Sequence, residues 1–287
     1  MRIESITSAS NPKIKNLLLL QEKSKARKEQ GLFVVEGRRE LEHCIEAGFS
    51  VKTLFICKNL WSEELLFPEA SALFLASGNN SSSGSEITKN LFSAESDVNV
   101  IEIPEALYRK VAYRESTEGI IAEVEYKSLK LEDLRLPENP LVMVLESVEK
   151  PGNLGAVLRS ADAAGVDAVI FCDPLTDLYN PNLIRASIGA VFTVPTVAVS
   201  SEEAIAFLKA HDIQILTAQL QDSSLYYDVD MRRGTALVMG TEATGLTDVW
   251  RKAASAHIRI PMLGRLDSLN VSVSAAILLF EAVRQRQ

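Results

Sequence analysis

Polar side chains that can bind a ligand stand directly before an apolar stretch near the C-terminus. Ser268, Asn270 and Ser272 follow a loop that contains Gly264, and residues 275–280 are then apolar throughout. This pattern predicts a helix that begins near Ser268. The first amides of a helix lack a partner within the helix, so these side chains can cap it or position a bound molecule. The residues alone leave both interpretations open.

A second polar stretch, residues 151–155 (PGNLG), is predicted to be a loop that brings backbone amides close to a phosphate or carboxylate. Arg159 follows four residues after Gly155, and we expect it one helical turn further on, where it either reaches a ligand or forms a surface ion pair. Asp173 lies roughly twenty residues on, where a dinucleotide-binding unit has its ribose-binding acid. No GxG pair precedes it, which disfavours that alternative.

Three stretches of the sequence resemble the three motifs of the SpoU class of RNA 2′-O-ribose methyltransferases, members of the SPOUT superfamily. They are residues 153–161, residues 238–246, and residues 268–273 preceded by Ile260-Pro261. They occur in the family's order, and the resemblance closely covers residues 140–287. It implies an α/β fold with a mostly parallel C-terminal sheet, helices on both faces and a deep trefoil knot.

The resemblance also implies the activity and the site. The expected reaction is S-adenosylmethionine-dependent methylation of a ribose 2′-hydroxyl in a structured RNA, rRNA in preference to tRNA, by a homodimer. The residues carried over as catalytic are Arg159, Asn153, Glu242, Ser268 and Asn270, with Asn153 holding Arg159. Backbone groups at four positions are expected to bind the cofactor, namely Thr217, Gly240, Ile260 and Leu269. A catalytically silent RNA-binding relative is the alternative, and the intact catalytic set favours the enzyme.

Two roles are open for Arg159 in such a reaction. The acceptor hydroxyl is a poor nucleophile until its proton is lost or drawn away, and accounts of the family assign the arginine as the base. A guanidinium group, however, keeps its proton under ordinary conditions. We therefore favour a positioning role, in which Arg159 binds the phosphate of the target nucleotide and stabilises developing alkoxide charge.

The chain is predicted to divide into residues 1–126, a linker at residues 127–139, and residues 140–287. The alternation of strands and helices predicts α/β structure in both parts, with a helix over residues 154–165 and a strand over residues 191–199 in the second. Residues 11–12, 33–37 and 118–122 are similar to the L30e-like RNA-binding domain that precedes many SpoU enzymes. A polar, low-complexity loop is expected at residues 77–85.

A dense basic cluster lies on and after the first predicted helix. Its members that we assign to RNA binding are Lys15, Lys23, Lys25, Arg27 and Lys28. Such a cluster is by itself typical of a solvated helix face, but beside the three motifs it indicates an RNA-binding surface. The net charge of −8 and pI near 5.1 predict that this surface is confined to one face.

The cysteine pattern gives no sign of a disulfide framework or a zinc site, because Cys44, Cys57 and Cys172 are scattered and lack a CxxC pair. No metal is expected. The longest apolar run, residues 275–280, is too short to span a bilayer, and no signal-peptide pattern is present. We therefore expect a cytoplasmic protein with reduced thiols.

Overall fold

The computed structural model describes residues 3–60, 97–113, 118–265 and 268–287. These residues form two compact units, which we describe separately. The first comprises Met1–Lys127 with Tyr179–Pro181, and the second comprises Ser128–Leu178 with Asn182–Gln287. The loop predicted at residues 77–85 lies outside the described residues. None of the helices in the described ranges is long and apolar enough to cross a membrane.

The first unit contains a five-stranded sheet in the order β1-β4-β3-β5-β2. Its strands are β1 (Ile3–Ser5), β2 (Leu32–Glu36), β3 (Val51–Ile56), β4 (Asn99–Glu102) and β5 (Ile120–Glu125). β5 runs antiparallel to both β2 and β3, so these two strands are parallel to each other with β5 between them. The strand-helix-strand stretch that contains β2 and β3 thus has parallel strands, as such a stretch predicts, although β2 and β3 are not neighbours in the sheet.

The helices of the first unit begin and end at recognisable signals. They are α1 (Pro12–Glu22), α2 (Ser24–Gln30), α3 (Arg38–Glu46) and α4 (Glu105–Val111). α1 begins where the Asn11 side chain accepts a hydrogen bond from the backbone amide of Lys13, with Pro12 at the first helical position. Its buried face, which includes Ile14 and Leu17, packs into the core with Phe55 and other buried residues.

The second unit contains a seven-stranded sheet in the order β10-β12-β9-β11-β6-β7-β8, in which every pair is parallel. Its strands are β6 (Leu141–Glu146), β7 (Ala168–Cys172), β8 (Thr196–Val199), β9 (Gln214–Ala218), β10 (Ser224–Leu225), β11 (Thr235–Met239) and β12 (Ala256–Arg259). Residues 141–146 and 235–239 are buried along their whole length, as expected for central strands covered on both faces.

Six α-helices of the second unit are described, and two differ from the sequence expectation. They are α5 (Pro151–Ala163), α6 (Pro181–Ser187), α7 (Ala190–Thr193), α8 (Ser201–Ala210), α9 (Asp248–Ala253) and α10 (Val271–Arg286). α5 begins at Pro151 and not at Leu154, because proline fits the first helical position, where no amide donor is needed. The strand expected over residues 191–199 was wrong in its first half, which forms α7 after Gly189 in the left-handed conformation.

The last helix is held in place at its C-terminal end by Arg286. The guanidinium group donates hydrogen bonds to backbone carbonyl oxygens of two loops, at distances of 2.7–3.2 Å. These acceptors belong to Met231, Asn139, Pro140 and Arg233. Because Asn139 and Pro140 lead into β6 while Arg233 leads into β11, one side chain ties α10 to the start of both central strands.

Replacing Arg286 by Ala should lower the free energy of unfolding by about 2–3 kcal/mol, because several carbonyl groups lose charge-assisted hydrogen bonds. Arg284→Ala is the matched control, since Arg284 is exposed and its contacts lie within the same helix, to Glu281. We expect little change there. Urea denaturation of both variants measures the difference, and equal destabilisation would contradict the assigned role of Arg286.

Candidate functional site

A cleft of about 680 Å³ opens at the carboxyl ends of β9, β11 and β12. Its walls are formed by the segments that leave these strands, residues 218–221, 239–246 and 258–262, and by the start of α10. Leu220, Met262 and Leu269 give it apolar surface, whereas Thr241 and Asn270 give it polar surface. The volume lies within the range of roughly 300–1,000 Å³ that is typical of small-molecule sites. Ligands of open parallel sheets bind at this edge.

The turn after β11 is unusually tight, and its glycines are needed for that reason. A Cβ atom at Gly240 would lie 2.3 Å from the carbonyl carbon of Gly245, and Gly245 has a φ of 69°. The backbone closes with a hydrogen bond from the Gly245 amide to the Thr241 carbonyl, and the Thr244 amide donates to the Thr241 hydroxyl. This turn places Glu242 at the mouth of the cleft.

The exit of the same turn is fixed by β6. Glu146, the last residue of that strand, is buried, and its carboxylate accepts hydrogen bonds from the backbone amide and the hydroxyl of Thr247. Thr247 is the residue before α9. Thus both ends of the segment that carries Glu242 are tied to neighbouring central strands.

Side chains from the three sequence motifs meet at Glu242. The Oε1 atom of Glu242 accepts hydrogen bonds from the Nδ2 atoms of Asn153, at 3.0 Å, and Asn270, at 2.9 Å. The Asn270 amide also lies 3.2 Å from the Asn153 carbonyl oxygen. The Oε2 atom faces the Nζ atom of Lys150 at 3.2 Å. This ion pair is the largest cause of a lowered pKa for the Glu242 carboxyl group, with further lowering by the Val271 amide and Asn153.

Asn270 has a second role as the cap of α10. Its Oδ1 atom accepts hydrogen bonds from the backbone amide of Ser272 at 3.0 Å and from the Ser272 hydroxyl. Asn270 therefore caps a helix and also lies at the candidate site, so both interpretations of the sequence apply to it. Capping also fixes the orientation of the Asn270 side chain, so its amide points to Glu242.

Most of the sequence-predicted site residues line the cleft. They are Glu242, Ser268, Asn270, Gly240, Ile260 and Leu269. Asn153 does not line the cleft, but its amide bonds two residues that do. Thr217 is fully buried between β11 and β12, and its hydroxyl lies 2.6 Å from the Nδ1 atom of His257. The residues that follow it, Ala218 and Gln219, line the cleft in its place.

Arg159 does not lie with the other predicted catalytic residues in this chain. It is an exposed residue of α5 and makes no hydrogen bond or ion pair within the described ranges. The expected contact with Asn153 is absent there, because Asn153 bonds Glu242 and Asn270. The six-residue separation on one helix also turns the two side chains to different faces, since each residue advances the helix by about 100°.

The glycines of the first motif do not form the ligand-binding loop that the sequence suggested. Residues 151–155 are the first turns of α5, and a Cβ atom at Gly155 would lie 2.5 Å from the Cβ atom of Ala186. Gly155 is thus required for close packing of α5 on α6. Gly152 has no atom within 4 Å of its would-be Cβ and has no such constraint.

One residue of the predicted RNA-binding cluster is structural. Arg27 is only 2% exposed, and its guanidinium group donates to the carbonyl oxygens of Leu20 and Gln21 at the end of α1. The assignment of Arg27 to the RNA-binding surface was therefore wrong. Lys15, Lys23, Lys25 and Lys28 are exposed, and Lys25 pairs with Glu29 at 3.6 Å.

Asp173 serves the fold and not a dinucleotide. Its carboxylate accepts hydrogen bonds from the amide and hydroxyl of Ser201 at the start of α8. The Ser201 oxygen in turn accepts a hydrogen bond from the indole of Trp250, which is fully buried. Nothing in the sequence indicated Ser201 as a partner of Asp173, whose spacing alone suggested a contact with a ribose.

The described residues contain no group of three or more His, Cys, Asp or Glu side chains that could bind a metal ion. Cys44, Cys57 and Cys172 are buried free thiols. Burial raises the pKa of the Cys44 and Cys172 thiols well above the usual range, so neither is a ready nucleophile.

Comparison with known proteins identifies a family for each part of the chain. The SpoU rRNA Methylase family matches residues 140–280, and the MRM3-like substrate binding domain matches residues 11–122. The 23S rRNA (guanosine-2′-O-)-methyltransferase RlmB of Bordetella pertussis is 41% identical over 175 residues, which are 59% of this chain and 71% of that protein. This chain belongs to the SpoU rRNA methylase family.

Two further relatives resemble the SpoU chain over nearly its whole length. The 23S rRNA (guanosine(2553)-2′-O)-methyltransferase RlmP of Bacillus subtilis is 26% identical over 97% of this chain and 98% of its own. The crystal structure of an AdoMet-bound rRNA methyltransferase from Sinorhizobium meliloti has a TM-score of 0.82 and 28% identity, and the match covers 98% of each chain. The α/β fold with a parallel sheet is thereby confirmed, whereas the trefoil knot stays a prediction.

Gly155→Ala should destabilise the SpoU chain by about 3 kcal/mol, the upper end of overpacking effects, because the methyl group meets Ala186 and backbone. Gly152→Ala, in the same helix, should leave stability unchanged or raise it by up to about 1 kcal/mol. Thermal unfolding of the two variants makes the comparison. If Gly155→Ala were as stable as wild type, close packing would not explain this glycine.

Proposed function

We propose that this protein transfers a methyl group from S-adenosylmethionine to a ribose 2′-hydroxyl of 23S rRNA. The observation that carries the proposal is the convergence of Asn153, Glu242 and Asn270, one from each motif, at the mouth of a ligand-sized cleft. Relatives named as 23S rRNA 2′-O-methyltransferases and a similar AdoMet-bound structure support both the reaction and the donor.

The cleft fits the donor in size and in lining. Backbone groups of residues 240–246, Ile260 and Leu269 would hold its polar parts, while Leu220 and Met262 offer apolar contact. S-adenosylmethionine supplies an electrophilic methyl group and leaves as a neutral thioether. The work left to the chain is to exclude water and to orient the acceptor hydroxyl.

In this proposal Glu242 orients the amides of Asn153 and Asn270, which with Ser268 face the target ribose. Arg159 binds the nucleotide's phosphate and stabilises negative charge on the attacking oxygen. The cluster is intact, which favours an enzyme over a catalytically silent relative that only binds RNA.

We propose further that the active form is a homodimer. α10 presents Val273 and Phe280, two helical turns apart on one face, with exposures of 47% and 48%. α10 packs against α5, which carries the exposed Arg159. In this proposal a second copy covers this face, and Arg159 acts at the cleft of that copy. Sedimentation of a monomer that retains full methyl transfer would contradict the dimer.

Residues 1–126 are proposed to select the RNA, with residues 127–139 as linker and residues 140–287 as the catalytic part. The match of the substrate binding domain to residues 11–122 supports this division. Lys15, Lys23 and Lys28 are exposed and form no ion pair within the described residues, so they can contact phosphates. We place the enzyme in the cytoplasm, where rRNA of bacterial relatives is found.

The direct test combines purified protein, labelled S-adenosylmethionine and unmodified 23S rRNA transcript. Incorporation of label into one ribose, located by mapping 2′-O-methylated sites, would support the proposal and name the nucleotide. Binding of the donor and the RNA without incorporation would favour the silent relative. Failure to bind the donor would exclude the methyltransferase.

Arg159→Ala should reduce methyl transfer by at least about 100-fold while leaving the affinity for S-adenosylmethionine within a few-fold, because the residue lies outside the cleft of its own chain. Single-turnover kinetics and calorimetry measure the two effects. Ser160→Ala, the adjacent residue of α5, serves as a control.

Arg159→Lys separates the two roles of the arginine. Lysine keeps the positive charge but lacks the planar fork that binds a phosphate through two nitrogens, so a positioning role predicts little rescue at any pH. A base role predicts recovery as the pH rises toward about 10, where a lysine loses its proton. Strong alkaline recovery on intact RNA would show that positioning is the wrong assignment.

The triple change of Lys15, Lys23 and Lys28 to Ala should weaken RNA binding and reduce the slope of log affinity against log salt by about one to three, one for each lost phosphate contact. Filter binding at several salt concentrations measures this slope. Lys25→Ala, a lysine paired with Glu29, should change it less. An unchanged slope in the triple variant would show that these lysines form only a solvated face.

A further inference from the structure

The polar cluster at the cleft presents an electrostatic problem for the proposed substrate. Glu242 is an ionised carboxylate at the mouth of a site that an RNA phosphate must approach. Two anions in proximity repel each other, and the protein as a whole is acidic, with a net charge of −8. A local cation is therefore needed if Glu242 is to organise the site without weakening RNA binding.

We propose that Lys150 is a positioning residue that neutralises Glu242 and so lets this carboxylate orient Asn153 and Asn270 in the presence of RNA phosphate. This inference rests on the function proposed above. Lys150 directly precedes α5, and its side chain reaches the segment after β11 to pair with Glu242 at 3.2 Å.

The two carboxylate oxygens of Glu242 have different hydrogen-bond partners. Oε1 accepts both amide hydrogen bonds, whereas Oε2 faces Lys150. An ammonium group on Oε2 fixes the rotation of the carboxylate and leaves Oε1 turned to the amides. Lys150 thus acts through Glu242 and not on the reacting atoms.

The other cations near the cleft have different partners. Arg251 pairs with Asp248 at 3.8 Å, and Arg259 donates to the hydroxyl of Ser223 at 3.3 Å. Both line the cleft, whereas Lys150 pairs with Glu242 and lowers the pKa of its carboxyl group. The Val271 amide and the Asn153 side chain lower this pKa further, whereas partial desolvation raises it.

Direct phosphate binding by Lys150 is the competing explanation, since its side chain is 72% exposed. A double-mutant cycle separates the two, using Lys150→Gln, Glu242→Gln and the combination. Affinity for an unmodified 23S rRNA transcript is measured by filter binding, with the transfer reaction blocked by omission of the donor. Lys130→Gln, which removes another exposed lysine with a carboxylate neighbour, is the matched control.

If Lys150 neutralises Glu242, Lys150→Gln should weaken RNA binding about two- to five-fold, the range for an exposed ion pair. The same change should have no effect when Glu242 is already Gln, and Lys150→Arg should bind as wild type does. Equal weakening in both backgrounds, with a salt slope lower by about one, would assign Lys150 to a phosphate and overturn the proposal.

A second readout does not depend on RNA. The titration of Glu242, followed by carbon NMR of labelled glutamate, should shift to a higher pKa in Lys150→Gln and stay near the wild-type value in Lys150→Arg and Lys130→Gln. An unchanged titration in Lys150→Gln would overturn the proposal. If the wild-type protein bound no RNA, the proposed function would fail, and this titration would still decide whether Lys150 controls Glu242.

Discussion

The parallel pairing of β11 with β6 and β9 is the constraint on which the candidate site depends. Thr235 to Met239 of β11 lie beside Leu141 to Leu145 of β6 in register, so β6 ends only one residue beyond β11. The chain leaving β11 then carries Glu242, and the chain leaving β6 enters α5 with Asn153. A slip by one residue would exchange the two faces of β11 and shift the chain that carries Glu242 by about 3.3 Å relative to β6. Register in the core therefore determines which side chains meet at the surface.

Close packing at two glycines holds the segments that carry the site residues in place. Gly240 permits the chain after β11 to fold back onto Gly245, and Gly155 permits α5 to approach α6 closely. In each case the atoms that exclude a side chain belong to the protein and not to a ligand. The rigidity of the site thus comes from contacts between backbone segments, which are well suited to hold short polar side chains in a fixed arrangement.

Local sequence patterns predicted most of the elements, because strand and helix periodicity depends on neighbouring residues. Pro151 was assigned to a loop, although it stands at the first position of α5. The resemblance to the SpoU family, and not these local patterns, predicted that Glu242, Ser268 and Asn270 belong to one site. Lys150 and Arg27 could not be assigned in this way. Lys150 pairs with Glu242, which is far away in the sequence. Arg27 is buried because its guanidinium group donates to carbonyl groups at the end of α1, which have no partner within that helix. A basic run in a sequence does not distinguish these situations.

Two polar networks of the second unit differ in how much they contribute to the stability of the fold. Asp173, Ser201 and buried Trp250 form a chain of hydrogen bonds whose loss would leave unsatisfied groups inside the protein.

Asn153, Glu242 and Asn270 form an equally connected network, but they lie at the surface, where water can replace each bond and the net stabilisation is small. The geometry of this second network beside the cleft agrees with the proposed role of these side chains, which is to hold an acceptor hydroxyl in one orientation.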